Sequence, residues 1–277
     1  MKRLLSIEIY KVKHHKLSKI LFVSYFLLLS SIALVAAIQF DFAGLNIHLA
    51  EQGIFNFPYI WHFNTWLADF FTFFLAIIVV SMVTNEYGYR TVKQNLIDGL
   101  SKKEFVLSKF YFLVVLSLLA TVFVFIISLV LGLIYSDYTS VSIIFSDLYF
   151  FLAFFLKILG VFSLVMFLGF LLKKSAYALG FFFVWVLVEQ IFYGLIRWQF
   201  ATKDLAETVS SFFPYTSIHK LIPEPITRLN AAKKIGKQIG EDLADFDGIP
   251  LQCYLIAIVW IAMFIYFSYK ILKKRDL

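Results

Sequence analysis

Long apolar runs separated by short polar stretches make up most of this chain. Six runs are long enough to cross a bilayer as helices, at about 1.5 Å of rise per residue through a hydrocarbon core about 30 Å thick. Polar residues gather between the runs and at the two ends. The pattern predicts an all-α integral membrane protein with six transmembrane helices, at 18–40, 60–83, 110–135, 148–172, 176–198 and 251–272.

The first 17 residues interleave apolar and basic side chains. Such a segment favours a helix that lies in the headgroup layer, with its lysines facing anionic lipid; a flexible basic anchor is the alternative. The run that follows, 18–40, is longer than the apolar part of a cleavable signal peptide, and no small-residue cleavage pattern closes it. We therefore expect it to be a retained span.

Basic residues mark one side of the membrane. Most of the 25 lysines and arginines lie before span one, between spans two and three, between spans four and five, and after span six. The predicted outer loops 41–59 and 136–147 carry none. By the positive-inside rule both termini face the cytoplasm, so the basic balance indicates orientation and not nucleic-acid binding. A hydrophobic share of 61% makes the bilayer the solvent of this single transmembrane domain, 1–277.

The chain carries little that is typical of catalysis or metal binding. One cysteine, Cys253, cannot form an internal disulfide or a cysteine metal cluster. The five histidines show no ligand spacing, and the sequence has no metalloprotease motif, nucleophile elbow or phosphate-binding loop. We therefore expect this chain to have no enzymatic activity, metal or cofactor of its own.

The polar stretch from Asn85 to Lys109 lies between spans two and three, on the cytoplasmic side. Its first part, Tyr89 to Asp98, predicts a short helix with apolar residues on one side. Gly99 can take the left-handed backbone that ends a helix, and Ser101 with Glu104 has the spacing of a capping box that begins the next one. This helix-turn-helix is either a contact surface for a partner or only a solvated connector.

Three ionisable residues fall within predicted spans: Asp69, Lys157 and Glu189. Intramembrane charge is costly and therefore a functional candidate. Lys157 and Glu189 lie on spans joined by a short loop, each about 13–14 Å below the outer end, so we predict that they form an ion pair. The pair is either structural or part of a path or gate. Asp69 is expected to face outer water.

The longest segment outside the predicted spans is the external loop 199–250. Pro225 stands where a helix can start, and apolar residues from Ile226 to Phe246 fall at three- and four-residue steps. This predicts an amphipathic helix of about six turns. It either re-enters the outer leaflet as a short hairpin or forms a small external cap.

These features resemble the permease subunits of ABC exporters of the type-2 (ABC-2) membrane family, also called type V exporters. The resemblance covers nearly the whole chain and includes the basic amphipathic start, the six spans and the long external segment. Its most specific part is the loop after span two, with Glu86-Tyr-Gly-Tyr-Arg-Thr and Gly99-Leu-Ser-Lys-Lys-Glu-Phe. In this family that loop carries a coupling helix that contacts the ATPase. This chain has Gly88-Tyr-Arg-Thr in place of the commoner Gly-Thr adjacency.

The resemblance implies an ATP-driven exporter permease in the bacterial plasma (inner) membrane. It would form the substrate path with a second copy or a homologous permease, and a separate cytoplasmic ATPase carrying ATP and magnesium would dock on 85–109. Two other classes stay open: a secondary transporter or channel that uses the intramembrane pair, and a non-transporting scaffold that recruits a cytoplasmic partner. The coupling residues that the resemblance implies are Glu86 at the span-two hinge, Arg90 and Lys93 facing the ATPase, and Gly88, Thr91, Leu96 and Gly99.

Overall fold

The computed structural model describes residues 2–37, 39–42, 45–48, 53–138, 140–200, 203–228 and 248–275, and most of these are helical. The helices are α1 (Lys2–His14), α2 (Lys16–Ala37), α3 (Tyr59–Gly88), α4 (Thr91–Ile97), α5 (Lys102–Tyr135), α6 (Val141–Ile144), α7 (Tyr149–Leu172), α8 (Ser175–Phe200), α9 (Lys203–Ser210), α10 (Pro214–His219) and α11 (Leu251–Lys273), with a 3₁₀ turn at Ile226–Arg228.

Five helices in the described part of the chain are long and apolar enough to cross a membrane. They are α3, α5, α7 with the short α6 before it, α8 and α11, and they cover predicted spans two to six. The helix α2, with 22 residues, covers most of the predicted first span. The two helices that flank α4 run past the predicted spans at the end where α4 lies, so they link α4 continuously to the bundle.

A short β-hairpin follows α2. Strands β1 (Gln39–Phe42) and β2 (Leu45–His48) pair antiparallel, with Gln39 opposite His48 and Phe42 opposite Leu45. The helix α2 ends at Ala37, three residues before the predicted end of the first span. The all-α prediction is right for the helical bundle, but it did not include this hairpin.

The helix α7 is the centre of the bundle. It packs against α3, α5, α8 and α11, and it buries aromatic side chains on several sides, among them Phe150, Phe154, Phe162 and Phe170. A helix that is apolar all round is stable only when neighbours or lipid cover every face. In α7 the covering neighbours are protein, which places this helix in the interior.

The helix α8 has the opposite environment. Its buried residues Ala178, Phe182 and Glu189 fall on one narrow stripe at helical spacing. Large apolar side chains elsewhere on it, such as Phe183 and Leu187, are half exposed or more. These exposed faces are suited to lipid or to a second membrane subunit.

The outer segment between α8 and α11 differs from the single long helix that the sequence predicts. Two short helices, α9 and α10, come first, and the predicted start at Pro225 is followed by a 3₁₀ turn and not by an α-helix. The rest of the predicted stripe, 229–247, lies outside the described residues.

Candidate functional site

The helix α4, which lies between predicted spans two and three, is set off from α3 by a sharp turn. Arg90, the residue before α4, has a left-handed backbone with φ of 57°. Gly99, just after α4, has φ of 96°, which confirms the left-handed glycine expected from the sequence. The capping box is also confirmed: the Glu104 amide donates to Ser101 Oγ at 3.1 Å, and the Ser101 amide donates to Glu104 Oε2 at 2.9 Å.

One side of α4 is anchored and the other is open. Val92 is 2% exposed and packs into the core, with Leu96 partly buried beside it. Lys93 and Gln94 are exposed, and Ile97 at the end of the helix is 68% exposed. A single exposed isoleucine is ordinary on a protein surface, so what these residues establish is that this side of α4 is accessible to a partner. We refer to Lys93, Gln94 and Ile97 as the open face of α4.

A single buried carboxylate connects α4 to three other helices. Glu86, in the last turn of α3, accepts hydrogen bonds from Asn95 Nδ2 of α4 and from Lys11 Nζ of α1, each at 2.9 Å. It also pairs with Lys109 Nζ of α5. Glu86 itself is 4% exposed. One side chain therefore holds α1, α3, α4 and α5 together at the end of the bundle that carries α4.

The buried charges around Glu86 balance. Lys109 is fully buried and lies between Glu86 and Glu8, whose Oε2 is 2.6 Å from Lys109 Nζ. Ser108 Oγ donates to the other oxygen of Glu8 at 3.3 Å. Two carboxylates thus face two ammonium groups, Lys11 and Lys109. Buried charges are tolerated only when paired in this way. We call Glu8, Lys11, Glu86, Asn95 and Lys109 the Glu86 cluster.

The charge of Lys11 depends on these neighbours. Partial burial lowers its pKa, but the carboxylates of Glu8 and Glu86 outweigh burial and hold the pKa of Lys11 above its ordinary value. Lys11 therefore stays charged at neutral pH.

The structure refines the positions of the implied coupling residues. Glu86 lies inside the last helical turn of α3, and the chain changes direction at Arg90; the hinge that the resemblance implies at Glu86 stays a prediction. Gly88 is the last residue of α3, and Thr91 Oγ1 is 3.4 Å from the Glu86 carbonyl oxygen. Arg90 and Lys93 are exposed.

The sequence analysis did not identify the other members of the Glu86 cluster as coupling residues. One signal was present: Glu8 is the single acidic residue among the first 19, in an otherwise basic segment. An isolated acid in a basic amphipathic helix indicates a specific partner. The sequence does not identify Lys109 as that partner, because the two residues are 101 positions apart.

The predicted intramembrane pair of Lys157 and Glu189 is wrong. Lys157 is buried, and its Nζ lies 2.9 Å from Asp69 Oδ2 on α3. The two groups form an ion pair, but their geometry is not that of a directed hydrogen bond. Asp69 was expected to face outer water. The pair forms because α7 packs closely on α3 as well as on α8, and the two residues lie at similar depth.

Glu189 caps a short helix instead. Its carboxylate accepts hydrogen bonds from the backbone amides of Tyr215 and Thr216, at 2.9 and 2.8 Å, and from Thr216 Oγ1 at 2.8 Å. Trp185 Nε1 donates to it at 2.6 Å. The first amides of a helix have no partner within the helix, and an anion is favourable there. Glu189 thus secures the start of α10 to α8.

The helix α10 lies deep along its neighbours. Ile218 packs on Gly160, where an added Cβ would be 2.9 Å from Ile218 Cδ1. Gly160 is eleven residues into α7, about 16 Å along the helix. Trp260 Nε1, nine residues into α11, donates to the Phe212 carbonyl oxygen at 3.1 Å. This depth favours the re-entrant alternative for the outer segment over an external cap, with protein groups satisfying its broken backbone.

Residues 223–228 cross the ends of α3 and α7 that lie away from α4. Arg228 Nη2 is 3.1 Å from Asp147 Oδ2, and Arg228 Nη1 is 3.2 Å from His62 Nδ1. His62 Nε2 is 2.9 Å from the Pro223 carbonyl oxygen. Because arginine only donates, Nδ1 of His62 accepts and Nε2 carries the proton that it donates to Pro223. Sequence reasoning assigned no role to these residues.

The described residues contain no group of three or more histidine, cysteine, aspartate or glutamate side chains that could hold a metal ion. A family model described as "ABC-2 family transporter protein" matches residues 10–277, nearly the whole chain. The match confirms the resemblance drawn from the sequence. A comparison with curated proteins found no match. The spanning helices and the family match together indicate a multi-pass membrane protein.

Proposed function

The chain belongs to the ABC-2 transporter family, and from that premise we propose that it is the permease subunit of an ATP-driven exporter. In this proposal a separate cytoplasmic ATPase docks on the open face of α4. ATP and magnesium bind to that partner, and this chain supplies the membrane path. The connection of α4 to three other helices through Glu86 is the observation that carries the proposal.

The Glu86 cluster gives a physical route from α4 into the bundle. A force on α4 reaches Glu86 through Asn95 at 2.9 Å, and reaches α1 and α5 through Lys11 and Lys109. Moving Glu86 or Lys109 alone would break a buried ion pair, and breaking such a pair costs up to about 3–5 kcal/mol. We therefore infer that the cytoplasmic ends of these helices move together when the ATPase changes shape.

The proposal includes six spans with both termini in the cytoplasm. The helix α2 is the first span and α1 lies at the inner surface, in the bacterial plasma membrane. A second copy or a homologous permease completes the path. The exposed apolar faces of α8 support this part, because a buried stripe as narrow as that of α8 leaves room for another subunit.

The docking step is tested by purifying the complex from native membranes in mild detergent. We expect Ile97→Asp, combined with Lys93→Ala, to lose the stoichiometric ATPase subunit while the permease still inserts. The matched control is Lys174→Ala, an exposed lysine in the loop between α7 and α8. Normal recovery of the complex by the α4 variant would overturn the assignment of α4.

The transport step is tested separately in sealed vesicles. An exporter moves cargo only with ATP inside the compartment that holds the ATPase, and an ion gradient without ATP gives no transport. Transport driven by the gradient alone would favour a secondary transporter. Stable partner binding without ATP hydrolysis would favour a scaffold.

A further inference from the structure

A long groove lies between the N-terminal helices and α5. Its volume is about 390 Å³, and its walls include Val12 of α1, Phe22 of α2, and Phe112 and Leu119 of α5. The groove opens sideways, since Leu119 is 42% exposed on the outer surface of the bundle. It is separate from the Glu86 cluster.

The groove fits within one membrane leaflet. Its lining on α5 runs from Phe112 to Leu119, seven residues farther along. Seven helical residues rise about 10 Å, less than half of a hydrocarbon core about 30 Å thick. The groove therefore has room for part of a single acyl chain of the inner leaflet, lying along α5.

Two lysines stand at the mouth of the groove. Lys13 on α1 and Lys19 on α2 line it, and both are exposed. Among the described residues, no carboxylate forms an ion pair with either. Lys11, by contrast, is occupied by Glu8 and Glu86. Within the part of the chain that the structure describes, the mouth thus carries positive charge with no paired carboxylate, next to the apolar groove.

We propose that this groove is a binding site for an anionic phospholipid of the cytoplasmic leaflet. One acyl chain lies along α5 against Phe112 and Leu119, and the phosphate lies between Lys13 and Lys19. The apolar walls favour the acyl chain, and the two lysines favour an anionic headgroup. A zwitterionic lipid would gain the apolar contact with the walls but less from the charge of the lysines.

The site is positioned to support α1. Val12 and Lys13 border the groove, while Glu8 and Lys11 of the same helix belong to the Glu86 cluster. A bound lipid therefore stabilises α1 from the side opposite the cluster. The binding itself does not depend on the transport function.

The experiment measures lipid retention on the full chain by native mass spectrometry. The protein is released from nanodiscs that contain equal amounts of phosphatidylglycerol and phosphatidylcholine. We expect the unaltered protein to retain phosphatidylglycerol preferentially. Replacing both lysines, as Lys13→Ala with Lys19→Ala, should weaken its binding roughly 20- to 30-fold, because each lysine near anionic lipid contributes a factor of about five.

Two matched controls separate the groove from the general surface. Lys103→Ala with Lys274→Ala removes two exposed lysines at the same end of the bundle but outside the groove. Leu119→Trp fills the groove, whereas Leu118→Trp places the same side chain on an exposed neighbouring position, 53% exposed, that does not line it. We expect loss of retention for Leu119→Trp and normal retention for both controls.

Three results would overturn the proposal. They are equal retention of the two lipids by the unaltered protein, unchanged retention of phosphatidylglycerol after loss of Lys13 and Lys19, and a loss of equal size in the control lysine pair. The substituted residues are exposed, so their replacement leaves the core intact.

Discussion

Lys157 of α7 pairs with Asp69 of α3, with its Nζ 2.9 Å from the carboxylate. The pair joins the central helix to the helix that continues to Glu86 and α4. It is therefore a structural connection between the interior of the bundle and the end that carries α4. Each charge also stabilises the other inside the bundle, because an isolated buried charge would be strongly destabilising there.

Removing one partner of this pair should cost more than removing both. Asp69→Asn leaves the Lys157 ammonium buried without its counter-charge, and we expect it to destabilise the protein by about 2–3 kcal/mol, less than a fully buried pair because Asp69 keeps some exposure. Adding Lys157→Met should recover most of the loss. Thermal unfolding in detergent measures both. A double variant that is less stable than Asp69→Asn would contradict the assigned pairing.

Asn95 should be needed for coupling more than for docking. Asn95→Ala removes the hydrogen bond from α4 to Glu86 but leaves the open face intact, at a cost in stability of about 1 kcal/mol. We expect the reconstituted complex to keep its ATP hydrolysis while transport falls several-fold. The control is Lys103→Ala, an exposed residue at the start of α5 that belongs neither to the open face nor to the Glu86 cluster. Equal transport by the two variants would rule out the route through Glu86.

Glu189 should hold α10 in place. In Glu189→Gln the side-chain amide presents one acceptor oxygen where the carboxylate presented two, so one backbone amide of α10 loses its partner. We expect faster hydrogen exchange at residues 214–222, measured by mass spectrometry. Glu224→Gln, an exposed residue of the same segment, serves as the control. Unchanged exchange in the Glu189 variant would show that α10 is held by packing alone.

Gly160 should tolerate no side chain unless Ile218 is shortened. A Cβ at Gly160 would lie 2.9 Å from Ile218 Cδ1, so Gly160→Ala must displace α10 or the isoleucine. Gly180→Ala meets no atom within 4 Å and should be neutral or stabilising, since alanine favours the helix by about 1 kcal/mol. We expect a lower unfolding temperature for Gly160→Ala and partial rescue by Ile218→Ala. Absence of rescue would place the conflict elsewhere.

Features that depend on neighbouring residues were predictable from the sequence. The spans follow from the length and continuity of apolar runs, and the start of α5 follows from the local spacing of Ser101 and Glu104. The backbone of Gly99 is also a local property. In each case the interacting groups lie within one or two helical turns, so their spacing along the chain fixes their geometry.

Contacts between distant helices were not predictable in the same way. The choice of Glu189 for Lys157 rested on a short connecting loop, but α7 has neighbours on all sides, and sequence adjacency does not rank them. The start of α10 had a local signal, proline at its first position, yet the longer apolar stripe after Pro225 outweighed it. Short helices in a long segment are decided by what they pack against, here Gly160 and Glu189.

The composition of the Glu86 cluster also sets an order of assembly during synthesis. Glu8 leaves the ribosome long before its partners Ser108 and Lys109, which are 100 and 101 residues later. Until α5 has been made and inserted, the Glu8 carboxylate has no buried partner and stays in contact with water. The first helix of the chain thus docks fully only after α5, which covers the third predicted span, has been made. Its lysines therefore stay in water or among lipid headgroups during the period in which the orientation of the first predicted span is decided.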